Sequence, residues 1–247
     1  MAEVGDKELR RRERKRLRIA AHQAHPFGMP RPMAPDELVF DDAAPSKNAI
    51  VVLPGREGKL GGSPAVTVFA ALEGLPLRRV YVRDLVAVPN HPWGQDLPAV
   101  SASLQGVLAG AERRIFLGTS LGGYLALLLG TLAAADHVIV VNPTTRIGGL
   151  DVGKPDDDRW PEVMELLAPE AAAGVRDIRE LWVAHRAPTV DLHFSSRNEV
   201  HRAHAEHLAP CPSVQLHAHD EFLPLLKIRD DGTLRRQVDE QLARSRS

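Results

Sequence analysis

The sequence predicts an α/β fold, a mostly parallel sheet flanked by helices. Three observations carry this expectation. Short runs rich in Val and Ile recur at Asn48–Leu53 (NAIVVL), 79–82 (RVYV), 114–117 (RIFL), His137–Val141 (HVIVV), 190–194 and 214–216, with stretches of helical periodicity between them. Several runs are apolar at nearly every position instead of every second one, as expected of strands covered by helices on both faces. One run passes through Gly118 straight into a helical stretch rich in Leu and Ala, RIFLGTSLGGYLALLL.

The elements follow in order. Residues 25–35 (HPFGMPRPMAP) hold four prolines and a glycine, which blocks regular structure, so the fold proper is expected to begin near Leu38. The first strand, Asn48–Leu53, is stopped by Pro54-Gly55, and a glycine-rich loop (PGREGKLGGS) leads to a helix near 64–72 and a strand at 79–82. A loop with Pro89, His91, Pro92, Trp93 and Gly94 precedes a helix at 98–111 and the strand at 114–117. A buried helix is expected at 124–135 and a strand at His137–Val141, ended by Asn142-Pro143. Residues 144–187 lose the strand pattern and read as an insertion or cap, with helical segments at 161–167 and 169–185 after an acidic loop, Asp156 to Asp158. The strands at 190–194 and 214–216 enclose a helix at Glu199–Leu208, and a last helix starts near Thr233.

Composition bounds the function. A chain of 247 residues with 44% apolar and 26% charged residues matches a single folded domain with tails. The longest apolar stretch, 124–135, is shorter than the roughly 20 residues a membrane span needs, and the arginine-rich start has no apolar segment behind it. The lone Cys211 cannot close an intramolecular disulfide, so a reducing, cytoplasmic setting is expected. Residues 1–20 carry eight Lys/Arg against four Asp/Glu, which leaves the remainder acidic in a chain of net charge −1. An acidic body with 4% aromatic residues does not favour nucleic acid as a partner, and the basic run reads as a solvated helix or end.

Metal and nucleotide sites are weakly signalled. His201, His204 and His207 recur every three residues, but that series turns about 60° around a helix by its third member and converges poorly on one ion. Asp156 to Asp158 lack the spacing of a calcium loop, and GREGKLGG lacks the G-K-[ST] ending of a phosphate loop. No metal and no cofactor is expected.

The chemical signal is Gly118-Thr119-Ser120-Leu121-Gly122, set between an expected strand and an expected helix. A serine there must turn sharply out of the strand for its hydroxyl to stand clear of the sheet, and glycines two residues either side leave room where a Cβ would collide. On this motif and the strand-helix order, the chain from Asn48 onward resembles the α/β-hydrolase superfamily. The chain then divides into a basic, proline-rich arm at 1–37 and a hydrolase-like domain at 38–247 with the cap at 144–187. The resemblance implies Ser120 as nucleophile and an oxyanion hole from the backbone N–H of Leu121 and of a second residue in the loop after the first strand (LPGREG), Arg56 or Gly55. Pro54 stands where a histidine is common.

The family order of serine, acid, histidine places the base after the last strand, where His219, in a loop beyond the strand, is favoured over His217 at the strand end. The acid position falls on Asn198, with Glu199 beside it, while Asp191 lies within the strand and points elsewhere. An amide can orient an imidazole but cannot stabilise its cation, a replacement that costs about 10⁴ in turnover of a serine triad. The implied function is hydrolysis of an ester or thioester of a small or medium acyl group, a small-molecule substrate. The alternative is a catalytically degenerate fold that serves as a binding partner. Trp93 and Trp160 either line an acyl pocket or pack, and the oligomeric state is not legible.

Overall fold

In the computed structural model, residues 39–55, 59–83, 93–147 and 177–244 are described, for 93–99 the backbone alone. The expected arm, Arg56, the acidic loop at 156–158, Trp160, the helix at 161–167 and the start of that at 169–185 lie outside these residues, as does the Trp93 side chain.

The described elements run β1 (Val39–Asp41), β2 (Asn48–Leu53), β3 (Lys59–Leu60), β4 (Ser63–Pro64), α1 (Ala65–Ala71), β5 (Arg78–Val82), α2 (Trp93–Val107), β6 (Arg113–Thr119), α3 (Leu121–Leu132), β7 (His137–Val141), α4 (Ile178–Ala184), β8 (Thr189–Ser195), α5 (Glu199–Leu208), β9 (Val214–His219), α6 (Pro224–Asp230) and α7 (Thr233–Ala243). Seven strands form one sheet in the order β1-β5-β2-β6-β7-β8-β9. All neighbours are parallel except β1, which pairs antiparallel with β5. β3 and β4 make a separate small hairpin.

The near-continuous apolar strands divide their side chains between two cores, because successive residues point to opposite faces. Val51, Val80, Phe116, Val138 and Val140 pack with α2, α3 and α4 on one side. Ile50, Val52, Ile115, Leu117, Ile139 and Val141 pack with α1, α6 and α7 on the other. α3 is buried around nearly its whole circumference, which its Leu-rich sequence permits. α1 instead buries a stripe of Ala65, Val68 and Phe69, at helical spacing.

Three differences from the sequence expectation bear on the site. α3 begins at Leu121, directly after Ser120, so no loop separates the serine from the helix. β9 continues to His219, because the ladder with β8 runs on through His193↔His217 and Ser195↔His219, so His219 lies in the strand and not in a loop beyond it. α6 was not anticipated; Pro224 in its first turn starts it immediately after Leu223.

Candidate active site

Ser120 joins β6 to α3 with φ 53° and ψ −122°, a backbone region that side chains rarely occupy. Its N–H donates to the Val141 carbonyl at 3.1 Å, and its own carbonyl accepts from the N–H groups of Gly123 (3.0 Å), Tyr124 (3.2 Å) and Thr144 (3.1 Å). The turn is thereby tied to both β7 and α3. The motif glycines are required sterically. A Cβ on Gly118 would overlap the Gly122 carbonyl and stand 2.8 Å from Ala126 Cβ, and one on Gly122 would overlap the carbonyl oxygens of Leu53 and Pro54. Gly123 extends the requirement, since a Cβ there would lie 2.9 Å from Pro143 Cβ.

The serine lines a cavity of about 300 Å³ over the C-terminal ends of β2, β6 and β7, with Thr119, Asn142, His201, Phe222 and Leu223 among its walls. Crevices at the carboxyl ends of parallel strands are where such sheets bind ligands. The N–H of Leu121, the first residue of α3, has no acceptor within the helix and stands at its positive end, as an oxyanion donor must. Gly55 does not supply the second donor its sequence position suggested, because its N–H is already given to the Lys59 carbonyl at 2.9 Å. What Gly55 provides is closeness: a Cβ on it would be 3.0 Å from the Thr119 carbonyl oxygen and 3.4 Å from Ser120 Cβ.

None of the residues expected to complete a triad is among those lining the cavity of Ser120. Asn198 is the N-cap of α5, its Oδ1 accepting from the N–H groups of Val200 (3.0 Å) and His201 (3.1 Å), which gives this side chain a structural role. Glu199 sits exposed on the first turn of the same helix. His219 is half-buried, and its imidazole is joined to that of His193, Nε2 to Nδ1 at 2.9 Å. His193 Nε2 in turn reaches Gln237 Oε1 at 3.1 Å, so Nε2 carries the hydrogen and Nδ1 accepts from His219. His217 bonds Asp191 Oδ1 at 2.7 Å and stacks on His193 with ring centroids 4.5 Å apart. Neither His217 nor His219 is among the residues lining the Ser120 cavity.

This network has its own electrostatics. Burial and the neighbouring His217 and His219 push the His193 imidazole down to about 4, and burial also lowers His219. Burial would raise Asp191, but hydrogen bonds from His137 (3.0 Å) and His217 outweigh it and hold the carboxylate far below its usual range.

Among the other polar residues that share the cavity with the serine are His201 and Asn142. His201 stands on the first turn of α5 and its ring packs against Phe222 at 5.8 Å. Asn142, at φ 46°, accepts from the Ser195 N–H (2.8 Å) and donates to the Phe222 carbonyl (3.2 Å), tying the loop after β9 to the end of β8. The sequence contained a signal for each: an Asn-Pro pair ending a strand, and a histidine three residues after a capping asparagine. His204 and His207 turn away to Thr145 (3.0 Å) and Asp177 (2.9 Å), so the three-residue histidine series serves three separate ends.

No protein-family model and no curated protein sequence matches the chain. Solved structures do. Est1E from Butyrivibrio proteoclasticus shares 14% identity at a TM-score of 0.56, covering 85% of this chain and 97% of its own. A hormone-sensitive lipase from a metagenome library shares 16% at 0.57, covering 82% and 80%. Thermogutta terrifontis esterase 2, solved phosphoramylated by tabun, shares 18% at 0.57, covering 83% and 88%. With its parallel sheet, its antiparallel edge strand and the strained serine between β6 and α3, this chain has the α/β-hydrolase fold.

Proposed function

We propose that the protein is a serine hydrolase that cleaves an ester or thioester of a small or medium acyl group through an acyl-enzyme on Ser120. The observation that carries this reading is the backbone of Ser120, held at φ 53° between β6 and α3 at the mouth of a cavity. Strain of that kind costs on the order of 1–3 kcal/mol and persists where the surrounding structure enforces it, commonly at reactive sites.

Ser120 Oγ attacks the acyl carbon while its proton passes to an imidazole, and the carbonyl oxygen takes the negative charge beside the Leu121 N–H. Collapse breaks the C–O or C–S bond, and the imidazolium returns the proton to the leaving alcohol or thiol. Water then attacks the acyl carbon with the same proton transfers, releasing the acid and restoring the serine. One aligned oxyanion donor contributes about 10² to 10³ in rate, because the charge it meets exists only in the transition state. The exposed Phe222 and Leu223 at the rim, and a volume near the lower end for small-molecule sites, suit a short acyl chain.

The test is fluorophosphonate labelling together with turnover of short and medium p-nitrophenyl esters, comparing the parent with Ser120→Ala. We expect labelling and turnover that both vanish in the variant; a folded parent that neither labels nor turns over overturns the reading. Two observations favour a second reading, a degenerate fold that binds without reacting: Asn198 caps a helix and His219 is engaged by His193. Turnover dependent on Ser120 would remove it.

A further inference from the structure

We propose that the general base acting on Ser120 is His201, carried on the first turn of the helix after β8, and that the histidines of the last strand have no part in proton transfer. This rests on the serine-hydrolase reading above. Chain order directs the search for a base to the end of β9, but His219, bonded to His193, and His217, bonded to Asp191, both lie outside the lining of the Ser120 cavity. Both belong to a layer that continues through Asp191 to His137 and through His193 to Gln237 of α7.

Three features place His201 instead. It lines the same cavity as Ser120. Its backbone is fixed where α5 begins, since the Asn198 cap accepts from the His201 N–H itself at 3.1 Å. Its ring lies against Phe222, and the loop carrying Phe222 is held by the Asn142 side chain at 3.2 Å. The cap fixes the backbone that carries the imidazole, and the Phe222 ring packs against the imidazole itself.

In the proposed step the Ser120 hydroxyl proton moves to a ring nitrogen of His201 as the serine oxygen bonds to the acyl carbon, and His201 delivers it to the leaving group. Phe222 and Asn142 are positioning residues in this scheme.

The experiment measures p-nitrophenyl ester turnover and fluorophosphonate labelling rates for the parent, Ser120→Ala, His201→Gln, His201→Ala, His217→Gln and His219→Gln, with a thermal melt of each. General base removal is expected to lower kcat by about 10² to 10⁴ in both His201 variants. Added imidazole is expected to restore part of the His201→Ala activity, which a merely structural role would not allow. His217→Gln and His219→Gln, where folded, are expected to keep kcat within a few-fold. Retention of turnover in folded His201→Gln, or its loss in folded His219→Gln, overturns the assignment while leaving Ser120 as nucleophile. A parent that neither labels nor turns over overturns both readings.

Discussion

Among the described residues, four that are not glycine have positive φ, and two of them, Ser120 and Asn142, are at the cavity. Half of these positions thus lie where chemistry is proposed. Ser120→Gly is expected to stabilise the fold by about 1 kcal/mol, read from a urea midpoint, because glycine accepts φ 53° without steric cost. The same change removes the hydroxyl and the labelling. Two glycines give opposite expectations for one substitution. Gly122→Ala drives a Cβ into the Leu53 and Pro54 carbonyls, which are backbone atoms of a buried strand end and cannot swing aside, so a loss of more than about 2 kcal/mol is expected. Gly106→Ala, inside α2 with nothing within 4 Å of the added carbon, is expected to stabilise by about 0.5–1 kcal/mol. Equal midpoints for the two variants would contradict the steric account of the motif.

Helix α5 decides what surrounds the serine. Its existence at Glu199–Leu208 was legible from periodicity, but the role of its cap was not. Family order marks Asn198 as the residue in the acid position, whereas its Oδ1 closes the first turn of the helix. Asn198→Asp separates these views. If the position were that of a triad acid, a carboxylate there would raise turnover by orders of magnitude, up to about 10⁴. We expect kcat to change less than a few-fold, with stability retained, since aspartate caps as well as asparagine. Asn198→Ala is expected to cost about 1 kcal/mol in the denaturation midpoint. β9 shows the same limit of local pattern. Its sequence suggested a short strand, and only the ladder to β8 carries it to His219 and turns that imidazole onto His193.

Across the molecule, β7, β8, β9 and α7 are joined by a polar layer of His137, Asp191, His193, His217, His219 and Gln237. His193 is nearly inaccessible in this layer, and folding lowers its imidazole from 6.5 to about 4. A histidine whose folded value is depressed binds its proton more readily when unfolded. Its contribution is therefore complete above pH 6.5 and is lost as pH falls towards 4. His219, lowered in the same direction, adds to the effect. We expect the denaturation midpoint to be flat near pH 7–8 and to fall on acidification by an amount on the order of 2 kcal/mol. His193→Gln should flatten this dependence; a midpoint independent of pH over that window in the parent would refute the account.

Local pattern was enough for the α/β class, six of the seven strands, the helices α1, α5 and α7 closely, and the serine elbow. These follow from local causes: apolar runs long enough to be covered on both faces, helical spacing, and a turn that needs glycines two residues either side of Ser120. The edge strand β1 and helix α6 were not legible, since three residues ending in Asp41 and a proline-led segment carry little periodic signal. Only the folded arrangement shows which imidazole lines the cavity of Ser120. Eleven histidines are chemically equivalent in the sequence, and their roles diverge only when strand register and helix capping fix what each ring meets. His219 meets His193, His217 meets Asp191, and His201 meets the cavity, because side-chain direction is set by the neighbours of an element and not by its order along the chain.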